Sequence, residues 1–174
     1  MSQGENRFRQ DLRLILPRLR RFGHALTGSQ EDGDDLVQAA LEKALSREAQ
    51  FAPGTRLDSW MYKIMQNAWI DQKRADARRR KVIEPMSEET HAPGEDGRAS
   101  FDARITLRQV QEMMTRLHDD ERSVIVLVSI EGLTYRQAAD VLEIPIGTVM
   151  SRLARARNRL LTLLDNAHLP QLEN

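Results

Sequence analysis

Apolar residues recur at intervals of three and four along almost the whole chain, which is the spacing of amphipathic helices. The alternating apolar and polar positions of half-buried strands are nearly absent. The first helical pattern ends at Thr27-Gly28 and contains Pro17, which predicts a kink or a break. Its apolar members are Phe8, Leu12, Ile15, Leu19, Phe22 and Leu26. The sequence therefore predicts an all-α protein.

An acidic segment divides the helical patterns into two groups. Residues 82–101 contain two prolines, two glycines and few apolar side chains. Such a segment cannot bury enough apolar surface to offset the entropy lost on ordering. A chain of 174 residues is long enough for two small domains. We therefore expect a three-helix domain over residues 1–81, a flexible linker over 82–101, a second helical domain over 102–168 and a tail over 169–174.

The charges are unevenly distributed, although the net charge is zero. Residues 72–81 hold six basic side chains and one acidic one, and residues 146–160 hold four arginines and no acid. Residues 84–102 hold six acids and one arginine. Two basic patches on either side of an acidic segment indicate two contacts with anionic ligands. For either patch alone, a solvated helix face remains the alternative interpretation.

Residues 132–164 carry the most informative local pattern. Thr134 and Gln137 have the spacing of a capping box, which predicts the start of a short helix. A turn over 143–146 then leads to a second helix, whose apolar stripe is Val149, Leu153, Ala156, Leu160 and Leu163. Its opposite face carries hydroxyls and arginines. This order predicts a helix-turn-helix whose second helix enters the major groove of DNA; an ordinary bundle helix is the alternative.

Several classes of function lack their signatures. The sequence contains no phosphate-binding Gly-x-x-x-x-Gly-Lys loop, no His-Glu-x-x-His pair and no dinucleotide fingerprint. It has no cysteine, and its four histidines are scattered, so we expect no disulfide and no metal site. The longest apolar run, over 124–130, is too short to span a bilayer, and the N-terminus lacks a signal peptide's apolar stretch. We expect a cytoplasmic protein that is not an enzyme and needs no cofactor.

Both halves of the chain resemble regions of extracytoplasmic-function (ECF) sigma factors. Residues 132–142 and 145–157 resemble region 4 of that family, and residues 34–38 and 57–74 resemble region 2. The two matches occur in the family's order, with a linker between them. The resemblance implies a bacterial transcription initiation factor that binds core RNA polymerase, recognises the −35 and −10 elements of promoter DNA and aids strand opening. It also implies an anti-sigma factor as a partner.

The same resemblance implies roles for particular residues. Contact with the clamp helices of the polymerase's largest subunit is implied for Asp34, Asp35, Leu36, Val37 and Gln38. Contact with the −10 element is implied for Lys63, Asn67, Arg74, Arg78 and Arg79. Contact with the −35 element is implied for Thr148, Ser151, Arg152 and Arg155. The loop over 51–56 resembles the part of region 2 that captures a flipped base.

Some of these positions have a structural interpretation as well. Asp34 and Asp35 also complement the dipole of their helix, and Leu36 and Val37 could be partly core. Two tryptophans are expected in the core, because they lie at helical spacing on the apolar face; they are Trp60 and Trp69. Many family members carry a basic residue at the position of Met150, so a −35 sequence preference does not transfer to this chain.

Two other functions fit parts of the pattern. A helix-turn-helix regulator could bind an operator directly and use its first domain for dimerisation or sensing, but it would not need the helix over 34–38 or the basic third helix. An adaptor or decoy could bind a sigma-regulating protein without initiating transcription. We also expect the free protein to bind duplex promoter weakly, because its two halves are not held at promoter spacing.

Overall fold

The computed structural model describes residues 3–52, 54–83 and 107–168 of the chain. These residues form helices and connecting turns, with no strand among them, and the predicted all-α fold is confirmed. Three long helices come first: α1 (Gln3–Thr27), α2 (Gln30–Ser46) and α3 (Leu57–Ile83). Four helices follow: α4 (Leu107–Thr115), α5 (Asp119–Ile125), α6 (Tyr135–Leu142) and α7 (Ile146–His168).

The predicted domain limits stay a prediction. Apart from its first two residues, which belong to α3, the expected linker over 82–101 lies outside the described residues. The expected tail over 169–174 also lies outside them. Between α5 and α6, residues Val126–Ile130 form a π-helical turn, which is buried at its start and runs into the loop before α6.

Helix α1 continues through Pro17, so the structure shows no break there, and the alternative expectation of a kink stays a prediction. Proline removes one backbone hydrogen bond and crowds the preceding turn. Pro17 lies on the exposed side of α1, while Leu12, Leu19 and Phe22 on either side of it are buried. Packing of this apolar face holds the helix together, because most helical stability in proteins comes from tertiary contacts.

Helices α1 and α2 cross at two glycines. Gly28, with φ at +77°, ends α1, and the Ser29 side chain accepts a hydrogen bond from the Asp32 amide to start α2. A Cβ added at Gly33 would lie 2.7 Å from the His24 backbone nitrogen and 2.9 Å from the Gly23 carbonyl carbon. Only glycine permits this close approach, which places the acidic start of α2 beside α1.

One continuous apolar core joins the two halves of the chain. In the first half, α1, α2 and α3 enclose Leu19, Phe22 and Met65, all fully buried. In the second half, α5, α6 and α7 enclose fully buried Val124 and Val149. Helix α6 packs against α3, and the turn over 126–130 packs against α1. The two units that the sequence separates are therefore in direct contact.

Candidate nucleic-acid and polymerase interface

The predicted helix-turn-helix is formed by α6 and α7. The Thr134 hydroxyl accepts a hydrogen bond from the Gln137 amide (3.2 Å), and Gln137 Oε1 accepts one from the Thr134 amide (2.9 Å). This capping box starts α6 as expected. The Pro145 carbonyl accepts hydrogen bonds from the Thr148 and Val149 amides at the start of α7. The apolar stripe of α7 is buried at its centre, so the opposite face is left to solvent.

The four residues expected to contact the −35 element differ in how accessible their side chains are to a partner. Ser151 and Arg155 are exposed on α7, and Thr148 is half-buried. Arg152 is held against α5 by an ion pair with Asp120, in which the nitrogen and oxygen are 2.6 Å apart. The structure therefore brings Thr148, Ser151 and Arg155 to one accessible face and ties Arg152 to its own domain.

The turn between α6 and α7 contains a strained residue. Glu143 has a left-handed backbone, with φ at +54°, and its carboxylate lies 2.8 Å from the Lys63 ammonium of α3. The left-handed conformation costs a residue with a Cβ roughly 1–2 kcal/mol, whereas glycine adopts it readily. An exposed ion pair of this kind contributes about 0–1 kcal/mol. The ion pair also places the turn of the helix-turn-helix against the expected −10 helix.

We expect Glu143→Gly to be more stable than Glu143→Gln, by about 0.5–1 kcal/mol. Both variants remove the charge that pairs with Lys63, so their difference isolates the backbone strain. Urea unfolding of the two variants and the wild type measures the free energies. A glutamine variant as stable as the glycine variant would show that the left-handed turn stores no strain.

The expected −10 residues of α3 fall into two groups. Lys63, Asn67, Arg74 and Arg78 lie within about 60° of one another around the helix at 100° per residue. Asn67, Arg74 and Arg78 are exposed, and Lys63 pairs with the turn described above. Arg79 projects to a different side and pairs with Asp76 at 2.9 Å. We call the four aligned residues the α3 stripe.

The aromatic residues near the α3 stripe belong mainly to the core. Trp69 and Tyr62 are buried, at 3% and 0% exposed, so the expectation of a core role for Trp69 is confirmed. Trp60 is half-buried and packs against Phe8 and Phe51, with ring centroids 6.1 and 5.4 Å apart. Beside this cluster, α1 and the loop before α3 line a cavity of about 750 Å³.

The segment over 34–38 is only partly accessible. Asp35 and Gln38 are exposed, whereas Leu36 and Val37 are each 3% exposed and pack in the core between the helices. Asp34 is half-buried and lies 3.0 Å from the His24 ring nitrogen and 3.5 Å from Arg20. In this structure a partner that binds α2 meets Asp35 and Gln38, and the two aliphatic residues anchor the helix beneath them.

Sequence reasoning missed the polar cluster that joins the two halves. The Glu131 side chain is fully buried and accepts hydrogen bonds from Arg21 Nε (2.8 Å) and Nη2 (3.0 Å). The Tyr62 hydroxyl donates to Glu131 Oε2 at 2.5 Å, and Arg18 Nε lies 3.5 Å from the same oxygen. Glu131 precedes a glycine at a helix end, where sequence alone indicates a solvated side chain. We call these four residues the Glu131 cluster.

Two more contacts extend the junction between the two halves of the chain, one from α3 to α5 and one from α5 to α1. Gln66 is buried and donates a hydrogen bond to the Ser123 hydroxyl at 2.8 Å. The Arg122 guanidinium donates to the Leu26 carbonyl at 2.9 Å and lies over the Trp69 ring. Burial lowers the pKa of Arg122 from its ordinary value. Arginine at this point neutralises the carbonyl end of α1, where the helix dipole is negative.

Tyr62 gives the junction a dependence on pH. Burial raises the pKa of Tyr62 well above its usual range, and the hydrogen bond to Glu131 raises it further. The resulting stabilisation is complete below the unfolded-state pKa of about 10 and is lost as the pH rises from there through the folded-state pKa.

We therefore expect wild-type protein to lose more stability than Tyr62→Phe between neutral pH and about pH 11, because only the wild type can ionise this phenol on unfolding. Urea unfolding at several alkaline pH values measures the slope of stability against pH. Identical slopes for the two proteins would contradict the buried, neutral phenol.

A groove of about 780 Å³ lies between α1 and α4. Its floor is apolar and includes Leu16, Val110 and Met114, and its rim carries Arg20 and Arg21. Within residues 3–52, 54–83 and 107–168, no helix is both long and apolar enough to cross a membrane. The same part of the chain brings no three metal-binding side chains together.

Comparison with known proteins matches both halves of the chain. A family model described as the Sigma2 domain of PhyR matches residues 12–66, and one described as Sigma-70, region 4, matches residues 107–160. The ECF RNA polymerase sigma factor EcfG of Rhodopseudomonas palustris is 31% identical over 90% of this chain and 84% of its own length. SigM of Mycobacterium tuberculosis, also an ECF sigma factor, is 32% identical over 84% of this chain and 71% of its own length.

Solved structures of sigma factors also match the chain. The sigma factor RpoE of Bartonella quintana, in complex with the anti-sigma factor NepR, matches with a TM-score of 0.76 at 34% identity over 91% of this chain and 96% of that one. CnrH, in complex with the cytosolic domain of CnrY, matches with a TM-score of 0.65 at 25% identity, over 91% of this chain and 88% of that one. The chain belongs to the ECF class of RNA polymerase sigma factors and directs transcription.

Proposed function

We propose that this sigma factor binds core RNA polymerase through α2 and reads a promoter with two separate helices. The exposed carboxylate of Asp35 and the amide of Gln38 supply the polymerase contact. The α3 stripe contacts the −10 element, and Thr148, Ser151 and Arg155 on α7 contact the −35 element. The observation that carries this proposal is the presence of one accessible polar face on each of these helices, within the two family regions.

We assign strand opening at the −10 element to the cavity beside Phe51. An unstacked base needs an aromatic surface and a cation close to its phosphate. Phe51 and Trp60 offer partly exposed rings, and Arg56 at the rim is paired with Asp58, whose carboxylate orients the guanidinium at 2.7 Å. A single flipped base fits within the space available. Phe51 lines the cavity, and Trp60 packs behind it with the ring centroids 5.4 Å apart.

An anti-sigma factor is the expected inhibitory partner. RpoE was solved with the anti-sigma factor NepR bound, and CnrH with the cytosolic domain of CnrY bound. The groove between α1 and α4 spans both halves of the chain, so an apolar helix bound there would hold the halves together. Arginines at the rim favour acidic residues on that helix. We place the protein in the cytoplasm, acting without a cofactor and without catalysing a reaction itself.

Run-off transcription from a promoter library, with purified core polymerase, tests the proposed function. Transcripts that start at a common promoter motif only when the protein is present are expected. The motif would also reveal the recognised −35 and −10 sequences. No transcripts, together with no binding to core polymerase, would reject the proposal and favour the regulator that binds an operator.

An adaptor role has one observation in its favour. The family model that matches the first half is named for PhyR, and a solved PhyR complex with NepR describes PhyR as an anti-anti-sigma factor. That structure is only 18% identical, so it supports the fold alone. The adaptor role predicts binding to an anti-sigma factor with no transcription at any promoter, which the same experiment distinguishes.

A further inference from the structure

The recognition helix α7 carries apolar side chains on its exposed surface. Ile146 is 48% exposed and Met150 is 52% exposed. Exposed Ala154 follows Met150 by four residues, just as Met150 follows Ile146, so the three form one row along the helix. This row is separate from the buried stripe of Val149 and Leu153, which packs against the rest of the domain. We call Ile146, Met150 and Ala154 the apolar row.

The surroundings of the apolar row indicate what covers it. Two exposed arginines of α7 lie near the row: Arg157 continues it three residues beyond Ala154, and Arg155 lies on the adjoining face. Two cations close to the row favour an anionic partner. An anionic partner that also presents apolar spots matches the major groove of DNA, where thymine alone presents a methyl group. The first residues of a recognition helix are those that reach the base edges.

At the same end of α7 as the apolar row, Ser151 has already used its hydrogen-bond donor. The Ser151 hydroxyl already donates to the Thr148 carbonyl at 3.1 Å, so it offers only its acceptor lone pairs to a base. Met150 has no charge to direct towards a phosphate or a guanine edge. Its unbranched thioether side chain is flexible and adapts to an apolar neighbour.

From this arrangement, and resting on the proposed −35 recognition, we propose that Met150 determines part of the promoter specificity by contacting the C5-methyl group of a thymine. Ile146 packs beside it one turn earlier on α7. The −35 element recognised by this protein therefore contains a thymine, on either strand, opposite the second turn of α7. Contact with one methyl group contributes a preference of about three- to five-fold over the same base without it.

Replacing thymine by deoxyuridine tests this contact directly, because only the methyl group is removed. Each thymine of the −35 element found by the promoter library is replaced in turn, and binding is measured with the reconstituted holoenzyme. Wild-type holoenzyme should bind three- to five-fold more weakly at one or two of these positions. Met150→Ala should bind the unmodified promoter more weakly by a similar factor and should no longer respond to deoxyuridine there.

Leu161→Ala is the matched control, since Leu161 is an equally exposed apolar residue of α7 beyond its first turns. It should respond to deoxyuridine as the wild type does. Wild-type binding that tolerates deoxyuridine at every position, or a Met150→Ala variant with unchanged deoxyuridine penalties, would overturn the methyl contact. So would a Met150→Ala variant that binds promoter normally but core polymerase weakly, which would assign the row to a protein partner. Absence of promoter-specific binding by the wild type would instead reject the −35 recognition on which the proposal rests.

Discussion

Glu131→Ala should lower the free energy of unfolding by about 1–3 kcal/mol, the largest stability loss that we expect from a single substitution in the junction. The variant leaves Arg21 and Arg18 without their shared carboxylate and removes the acceptor of the buried Tyr62 hydroxyl. The Arg21 side chain is about half exposed and turns to solvent, so the cost falls mainly on the buried Tyr62 hydroxyl, which is left without its acceptor. Urea unfolding followed by tryptophan fluorescence measures the change.

Two further variants serve as controls for the stability loss of Glu131→Ala. Glu131→Gln keeps the shape and one acceptor, so its loss should be smaller than that of the alanine variant. Asp120→Ala removes an exposed carboxylate that pairs with Arg152, and its loss should stay below about 1 kcal/mol. A Glu131→Ala variant no less stable than Asp120→Ala would show that the Glu131 cluster does not hold the structure together.

The contacts that Glu131→Ala would break also link the two halves of the chain. The Glu131 cluster links α1 and α3 to the second half, and Lys63 of the α3 stripe is paired with Glu143 in the helix-turn-helix. The proposed −10 contact of Lys63 would compete with this ion pair, because the same ammonium group serves both. Weak binding of free protein to duplex promoter stays a prediction, and the contacts between the halves offer a physical reason for it.

Asp35→Arg should reduce transcription at limiting protein concentration by ten-fold or more. Asp35 is the exposed carboxylate on the face of α2 proposed to bind core polymerase. Replacing a carboxylate by a cation at a charge-complementary contact costs several kcal/mol, and each 1.4 kcal/mol corresponds to about ten-fold in affinity. Core-polymerase binding and run-off transcription, measured over a range of protein concentrations, check the expected loss.

Asp140→Arg is the control for this charge reversal. Asp140 is an exposed carboxylate on α6, outside the proposed polymerase contact, and the substitution changes the net charge equally. Its polymerase affinity should stay within about two-fold of the wild type. Equal losses for the two variants would point to a general effect of charge, and normal binding by Asp35→Arg would place the polymerase contact elsewhere.

Local features of the chain were predictable because their causes are local. The capping box of Thr134 and Gln137 lies within four residues, and the buried stripe of Val149 and Leu153 follows from helical period. The core position of Trp69 follows from the same period. Continuation of α1 through Pro17 was not predictable, since it depends on packing against other helices.

Accessibility of the candidate sites depended on tertiary structure. Leu36 and Val37 lie within a segment that resembles a polymerase contact, yet both are buried beneath α1 and α3. Arg152 and Arg155 look equivalent in sequence, but only Arg152 meets an acid of α5. Which members of a polar motif stay free is decided by neighbours that are distant in the chain.

The sequence by itself determined the helices, the helix-turn-helix and the sigma-factor family, because periodicity, capping and motif order are properties of short segments. Only the tertiary structure decided that the two halves share a core, and that a carboxylate 110 positions away from Arg21 becomes its buried partner. The physical reason is that pairing of this kind requires desolvation by both halves at once. No local sequence pattern around Glu131 or Tyr62 indicates that their side chains are buried by both halves of the chain.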